Sequence, residues 1–256
     1  MEYFSFPSNP NWAVVVKDIS DWTAYEKDNE GKIIDTIIPQ PADIAIVLDL
    51  VKRAFEKYYP SERINNLHIP VLHDEPVPSS YKLPEIVFLS SKGRYWSMYI
   101  YQFAHELCHI MIGAKIPDRF RWFEEAICEV SSQFFLMRLS ELWFKNPPYP
   151  NWISYAPYIA EYRNIQALTA YDLAGQSLTD FTRANIARLT ADPYWREANT
   201  LFANNLLPIF EKEPGLWCEI QRLVEFCKGN SLSDLLSNWN NSTNYSESVR
   251  EMAILF

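Results

Sequence analysis

One short segment constrains this chain of 256 residues more than any other, and it is His105-Glu106-Leu107-Cys108-His109. In an α-helix, residues four apart lie on the same face and about 6 Å apart along the axis, so the rings of His105 and His109 can converge on one ion. A zinc ion at about 2.0–2.1 Å from each ring nitrogen fits that separation. Glu106 lies about 100° round the helix from His105, which puts its carboxylate beside such an ion. A general base takes a proton from water at that position, so the segment predicts a zinc site with a catalytic base.

The residues around this segment favour the same helix. Gly113 follows the segment, and glycine is well suited to end a helix in a left-handed cap. A stripe of apolar residues runs along one side of the predicted helix. It is formed by Trp96, Ile100, Phe103, Leu107, Ile110 and Met111. One side of the helix can therefore pack into a core while the histidines remain available for a metal.

A catalytic zinc site needs a third protein ligand in addition to the two histidines, with one position left open for water. A third histidine at the spacing His-x-x-x-His-x-x-Gly-x-x-His is excluded, because Ile112 and Lys115 occupy the relevant positions. The next predicted helix offers carboxylates at Glu124, Glu125 and Glu129 instead. A glutamate on that helix is therefore the expected third ligand.

Together, the two segments resemble the motifs of the gluzincin peptidases, the thermolysin-like and aminopeptidase-like group of zincins. In that group the second motif runs Trp-Leu-x-Glu-Gly or Asn-Glu-Ala-Ile-Ser-Asp, and this chain has Trp122-Phe-Glu-Glu125-Ala126. The resemblance, over about residues 84–135, implies that Glu125 is the third zinc ligand. It also implies that Glu129, four residues on, hydrogen-bonds a zinc-binding histidine and fixes the tautomer of that ring.

The resemblance further implies an activity, a cofactor and a fold. It implies a zinc metallopeptidase that cleaves a peptide or protein substrate, with Glu106 as the general base and with His105, His109 and Glu125 as zinc ligands. The implied fold is α+β and zincin-like, with a small mixed sheet packed on the helix that carries the histidines. In related folds the strand ahead of that helix is an exposed edge that pairs with an extended peptide. By order this strand corresponds to residues 85–90, although an interior strand is equally compatible with the sequence.

The rest of the chain predicts short strands followed by helices. The predicted strands cover residues 12–17, 33–38, 67–72 and 86–89, and residues 73–80 are expected to form a loop. An amphipathic helix is expected from Ala42 to before Pro60. From Tyr95 onward helical periodicity dominates, which predicts helices at residues 95–112, 119–141, 156–190, 193–206, 208–228 and 231–239. A proline-rich break at residues 145–150 predicts a catalytic core in residues 1–145 and a mainly α-helical part in residues 146–256.

Charge and composition narrow the range of partners. The formal net charge of −9 repels phosphate backbones, so nucleic acid is not an expected partner. No stretch of 18 apolar residues predicts a membrane span, and the amino terminus lacks the features of a secretory signal. With no Cys-x-x-Cys pair, a cytoplasmic protein with free thiols is expected. Cys108 and Cys128 are interpreted as small buried apolar residues rather than zinc thiolates.

Two alternatives remain open at this level. No tyrosine or histidine lies between positions 110 and 124, so one usual source of transition-state stabilisation is missing. The same ligands could therefore stabilise a non-catalytic zinc protein that binds or regulates a partner. The sequence does not choose a replacement donor among the tyrosines, which include Tyr155, Tyr158, Tyr162 and Tyr171. A metal-free helical protein with an accidental motif is the second alternative, and it predicts no zinc at all.

Overall fold

The computed structural model describes residues 15–16, 22–59, 64, 69–74 and 76–256. In these residues two small β-sheets and one helix between their strands precede a long series of helices, so the α+β class predicted from the sequence is confirmed. The strands predicted over residues 12–17 and 67–72 fall partly outside the described residues. Their described parts do contribute to strands.

The strands form two separate sheets. In chain order they are β1 (Val15–Val16), β2 (Ala24–Lys27), β3 (Ile33–Ile37), β4 (Pro70–His73), β5 (Ser79–Lys82) and β6 (Glu85–Leu89). β2 and β3 pair with each other in antiparallel orientation, and the other four form a mixed sheet in the order β1-β4-β6-β5. β4 runs parallel to β1 and to β6, whereas β5 runs antiparallel to β6.

The edge strand of the mixed sheet is not the segment at residues 85–90 for which the sequence allowed an edge position. β6, over the segment compatible with either an edge or an interior strand, lies between β4 and β5 and is interior. β5 begins within the stretch predicted as a loop, which was expected to extend only to residue 80, and among the described strands it forms the edge. Its four residues include two serines and give no apolar signal, so pairing with β6 decides its conformation. Side chains alternate along it, and Ser80 and Lys82 are less exposed than their neighbours.

The first three helices build the framework on which the candidate residues lie. They are α1 (Pro41–Glu56), α2 (Trp96–Ile112) and α3 (Arg121–Lys145). α2 packs against α3 and also contacts α1, β5 and β6, so it lies between the sheet and the helical part. It ends as predicted, because Gly113 adopts a positive φ of 71° and donates its N–H to the carbonyl of His109.

The remaining helices follow α3 and depart from the predictions in three places. They are α4 (Ala156–Ala167), α5 (Leu178–Ala191), α6 (Arg196–Lys212), α7 (Leu223–Phe226), α8 (Leu232–Asn240) and α9 (Ser246–Leu255), with a 3-10 helix at Pro214–Arg222 before α7. The helix predicted over residues 156–190 is two helices, separated by a turn in which Ala174 and Gly175 have positive φ. The helix predicted over residues 208–228 is instead the end of α6, the 3-10 helix and α7, and no prediction covers α9.

Burial explains why α6 continues through a proline. A proline inside a helix costs about 3 kcal/mol, because it removes one hydrogen bond and crowds the preceding turn. Four apolar residues around it are buried, and their burial offsets that cost. They are Leu206, Leu207, Ile209 and Phe210.

α3 is the central helix of the described structure. α2, α4 and α6 all pack against it, and its second half contributes to a cluster of aromatic rings. In that cluster Phe135 stacks on Phe55 with ring centroids 3.9 Å apart, and Trp217 lies beside both Phe134 and Phe135. The predicted division of the chain at residues 145–150 stays a prediction. None of the described helices has both the length and the apolar character needed to cross a bilayer.

Candidate metal centre

Two helices bring together the residues predicted to hold a metal. α2 carries His105 and His109, and α3, packed directly against it, carries Glu125. Nε2 of His105 lies 3.2 Å from Oε2 of Glu125, and Nε2 of His109 lies 3.5 Å from the same oxygen. Two ring nitrogens and one carboxylate oxygen, separated by 20 positions at most in the sequence, therefore face one point.

The spacing of these donor atoms fits a zinc ion. Ligand atoms bound at about 2.0–2.1 Å in tetrahedral geometry lie about 3.3 Å from one another. The two measured separations, 3.2 Å and 3.5 Å, lie on either side of that value. Imidazole nitrogen and carboxylate oxygen are also donors that zinc accepts in catalytic sites. By spacing and by chemistry, His105, His109 and Glu125 fit a site in which three protein side chains hold zinc.

Cys128 is a further potential donor in the same place. Its sulfur and one ring nitrogen from each histidine all lie within 4.8 Å of one another, which makes a second possible trio for a metal. Cys128 is fully buried, and burial together with the neighbouring Cys108 thiol raises its pKa well above the ordinary value. A bound zinc ion displaces a thiol proton, so this raised pKa does not remove Cys128 from the possible ligands. Glu125 is the preferred third donor, because its Oε2 lies at the spacing of zinc ligands from both ring nitrogens.

Electrostatics link Glu125 tightly to the histidines. Burial opposes a charge on His109, but the carboxylates of Glu125 and Glu124 outweigh this and raise its pKa well above the ordinary value. Burial also opposes a charge on His105, and there Glu125 and Glu106 together raise the pKa. In turn the charge of His109, followed by hydrogen bonds from both histidines, lowers the pKa of Glu125 in spite of its burial. Because imidazole binds a metal in its neutral form, a metal and protons would compete for these histidines.

Glu124, rather than Glu129, is the carboxylate that contacts the second ring nitrogen of a candidate metal-binding histidine. Its Oε1 lies 2.9 Å from Nδ1 of His109, the ring nitrogen that does not face Glu125. A carboxylate on Nδ1 fixes the tautomer that leaves Nε2 free for a metal. Lys82 on β5 donates to the same carboxylate oxygen at 2.6 Å and to the carbonyl of Ala114 at 2.8 Å. Glu124 is therefore held from both sides, by the edge strand and by the histidine.

The antiparallel packing of α2 and α3 explains this difference. Moving up α2, the hydrogen bonds join Tyr101 to Glu129, then His105 to Glu125, then His109 to Glu124. The partners on α3 thus follow in reverse order, with a step of four residues from Glu129 to Glu125 and of one residue to Glu124. Glu129 faces Tyr101, one turn before His105 and two turns before His109, and its hydrogen bonds within the described structure go to Tyr101 and Gln133. Helix pairing of this kind is not contained in the spacing of either motif alone.

Glu106, the predicted general base, is also fixed by the edge strand. Its Oε2 accepts a hydrogen bond of 2.7 Å from the hydroxyl of Ser80 on β5. Ser80 and Lys82 are two residues apart on a strand, so both side chains point to the same face and reach α2 and α3. Glu106 is 4% exposed, yet it lines the same cleft as the histidines. The strand that the sequence did not reveal therefore positions both the base and the partner of His109.

The site opens into a cleft of about 850 Å³. All of β5 and the two residues just before it form one part of its lining, and α2 and α3 form another. The start of α6 contributes Arg196 and Asn199, and Tyr194 precedes them. A cleft of this volume lies within the range of about 300–1,000 Å³ typical of ligand sites. It has room for several residues of an extended peptide.

Comparison of the chain with protein-family models, with curated proteins and with solved structures finds no match. The chemistry of the cleft is therefore the basis on which its function is assigned.

Proposed function

We propose that this chain is a zinc-dependent metallopeptidase of the gluzincin type, with a zincin-like core in residues 1–145 and a peptide or protein as its substrate. The convergence of Nε2 of His105, Nε2 of His109 and Oε2 of Glu125 at separations of 3.2 Å and 3.5 Å carries the proposal. Glu106 on the same cleft wall adds the group that separates a hydrolase from a purely structural site.

Each residue has a defined task in this proposal. Zinc held by His105, His109 and Glu125 would supply a Lewis acid that polarises a carbonyl group and lowers the pKa of water. Glu106 accepts a proton from the attacking water and delivers it to the leaving amine. Because Ser80 engages Oε2 of Glu106, Oε1 is the oxygen left to take that proton.

The edge strand supports binding of a peptide in particular. β5 is an edge among the described strands, and Val77 to Lys82 all line the cleft. An extended peptide can add to such an edge through main-chain hydrogen bonds. Ser80 and Lys82 from the same strand reach Glu106 and Glu124, so the strand would hold the substrate beside the base. This arrangement favours peptide bonds over other amides as the substrate.

Cys128 favours a second candidate function, a zinc protein without catalysis that binds or regulates a partner. Its thiol belongs to a trio with the two histidines within 4.8 Å. A protein side chain that occupies the fourth position closes the site to water, as in structural zinc sites. Substitution of Cys128 by serine separates the two functions. The metallopeptidase keeps its zinc in this variant, whereas a closed site loses affinity for it.

Zinc content and cleavage together test the proposal. We expect about one zinc per untreated chain by elemental analysis, and cleavage products from a peptide library. His105→Ala should lose the zinc, whereas Glu106→Gln should keep it and lose about 10²–10⁴ of the hydrolysis rate. Glu161→Gln, an exposed glutamate on α4, is the matched control. Stoichiometric zinc in His105→Ala, or wild-type cleavage by Glu106→Gln, contradicts the proposal.

A further inference from the structure

The charged groups that line the cleft divide into two sets. The first set consists of carboxylates on α2 and α3, and each of them is already engaged by a hydroxyl, an imidazole or an amine of the protein. Its members are Glu106, Glu124, Glu125 and Glu129. These carboxylates are therefore committed to the internal organisation of the site.

The second set consists of cations, and carboxylates of the described residues do not engage them. Lys115, Arg121 and Arg196 all line the cleft, and no carboxylate of the described residues lies within ion-pair distance of any of them. Arg121 donates to the hydroxyl of Tyr194 and lies over its ring, with its guanidinium carbon 5.3 Å from the ring centroid. Arg196 donates to the amide oxygen of Gln166 at 2.6 Å. Neutral partners thus hold both guanidinium groups in place without neutralising them.

This concentration of cations is unexpected in a chain with 32 acidic and 23 basic residues. Arg121 and Arg196 are also the first residues of α3 and α6, and the residues before them cap neither helix through a side chain. The partial positive charge of a helix start adds to that of the arginines. A planar guanidinium binds a carboxylate through two parallel hydrogen bonds. The ligand chemistry that fits this part of the cleft is therefore a carboxylate.

We propose that the cleft selects peptides that present a carboxylate to Arg121, Arg196 and Lys115. This inference rests on the proposed function and names the substrate class of the same site. An acidic side chain and a free carboxyl terminus offer the same chemistry. Both would meet the cations while the four glutamates remain engaged by the protein, so neither source requires the site to rearrange.

Peptide binding tests the inference independently of catalysis. The probes are four versions of one peptide, with an internal Glu or Gln and with a free or amidated carboxyl terminus. Their affinities for full-length Glu106→Gln are measured by calorimetry, with and without zinc. A partly exposed ion pair is worth up to about fivefold in affinity, so we expect the carboxylate-bearing versions to bind about fivefold more tightly than the neutral one. If replacing the internal Glu by Gln removes the preference, the cleft recognises an acidic side chain. If amidation removes it, the cleft recognises the carboxyl terminus.

Variants of the cations complete the test. Arg121→Gln and Arg196→Gln should each reduce the preference, and the double variant should abolish it without weakening the neutral peptide. Lys115→Gln is a third variant for the same measurement. Lys115 is exposed in the loop before α3, so this substitution leaves the first residues of both helices unchanged. Arg250→Gln, exposed on α9 and outside the cleft, is the control and should keep the preference. Equal binding of all four peptides, no binding of any, or a preference that survives in the double variant overturns the inference.

The two proposals fail in different ways. Cleavage of acidic and neutral peptides at equal rates, with equal binding, contradicts the carboxylate selection and leaves the metallopeptidase intact. Selective binding by a zinc-containing protein that cleaves none of the peptides contradicts the metallopeptidase and leaves the selection intact.

Discussion

Both halves of α3 bury apolar side chains, but the first half buries carboxylates among them and the second half does not. Residues 121–130 contain three carboxylates, Glu124, Glu125 and Glu129, which are between 4% and 8% exposed. In residues 131–145 the one carboxylate, Glu141, is exposed, and the fully buried large side chains are apolar. The same helix therefore serves a cleft at one end and the core at the other.

The difference shows what kind of explanation each half needs. Burying a carboxylate costs several kcal/mol unless partners surround it, and an apolar residue in its place is often equally stable. Packing alone thus explains the second half, while three buried acids in ten residues point to a site. We expect substitutions in residues 121–130 to change metal binding and those in residues 131–145 to change stability. Each of the following predictions tests that separation.

Loss of Glu125 should have the largest effect. Glu125→Ala removes one of three ligands, and we expect the zinc affinity to fall by on the order of 10³. Competition with a chromogenic chelator measures it, with Glu161→Ala as the exposed control. Tight stoichiometric zinc binding by Glu125→Ala would show that Glu125 is not a required ligand and would contradict the separation of metal binding from stability. Adding Cys128→Ser to this variant would then test whether the Cys128 thiol binds the zinc.

Truncation of Phe135 should produce the opposite pattern. Its ring is fully buried and stacks on Phe55, so Phe135→Ala should lower the free energy of unfolding by about 3–5 kcal/mol. Denaturant unfolding in the presence of chelator measures this loss. The folded fraction should keep the zinc affinity of the wild-type chain, and a large drop in that affinity would erase the distinction between the two halves.

Glu124 and Glu129 sharpen the comparison within the first half. A carboxylate that orients a metal-binding histidine contributes about 10–100-fold to metal affinity. Glu124→Gln should show such a loss, because it weakens the hydrogen bond to Nδ1 of His109. Glu129→Gln, which faces Tyr101, is the matched substitution and should change the affinity by less than about threefold. The reverse order would restore to Glu129 the role implied by the gluzincin resemblance.

A buried charge outside the cleft should behave differently again. Lys52 on α1 is 3% exposed, and desolvation lowers its pKa to about 7, although Glu56 and Asp49 partly oppose the shift. Below pH 7 the amine is charged in both folded and unfolded chains, so the folded state bears the full desolvation cost. Between pH 7 and 10.5 the unfolded chain holds more protons, and stability rises with pH.

Lys52→Met should therefore stabilise the protein by on the order of 1 kcal/mol at pH 6, and by less as the pH approaches 10. Thermal unfolding at several pH values measures this small gain. Zinc affinity should stay unchanged. A stability gain that grows with pH would contradict the lowered pKa of Lys52. A change in zinc affinity would show that this buried charge, like those of the cleft, affects metal binding.

The sequence predicts those parts of the site that lie within a single helix. His105, Glu106 and His109 lie within five residues, so helical geometry alone places them on adjacent faces. The motif resemblance also selects Glu125 among three neighbouring acids, and the structure brings this residue next to both histidines. Local spacing was sufficient for the three residues on α2, and the resemblance was needed for Glu125.

The parts that the sequence does not contain depend on contacts between elements. Glu124 faces His109 only because α2 and α3 pack antiparallel, and nothing in either segment fixes that register. β5 is a strand because it pairs with β6, and hydrogen bonds from Ser80 and Lys82 anchor it to Glu106 and Glu124. Four mostly polar residues carry no periodic signal of their own.

X-ray absorption at the zinc edge of the untreated chain tests the central claim most directly. Two imidazoles and a carboxylate predict nitrogen and oxygen ligands at about 2.0–2.1 Å and no sulfur. A sulfur ligand at about 2.3 Å would place Cys128 on the metal and contradict the open catalytic site. A chain purified without zinc would contradict the metal centre itself.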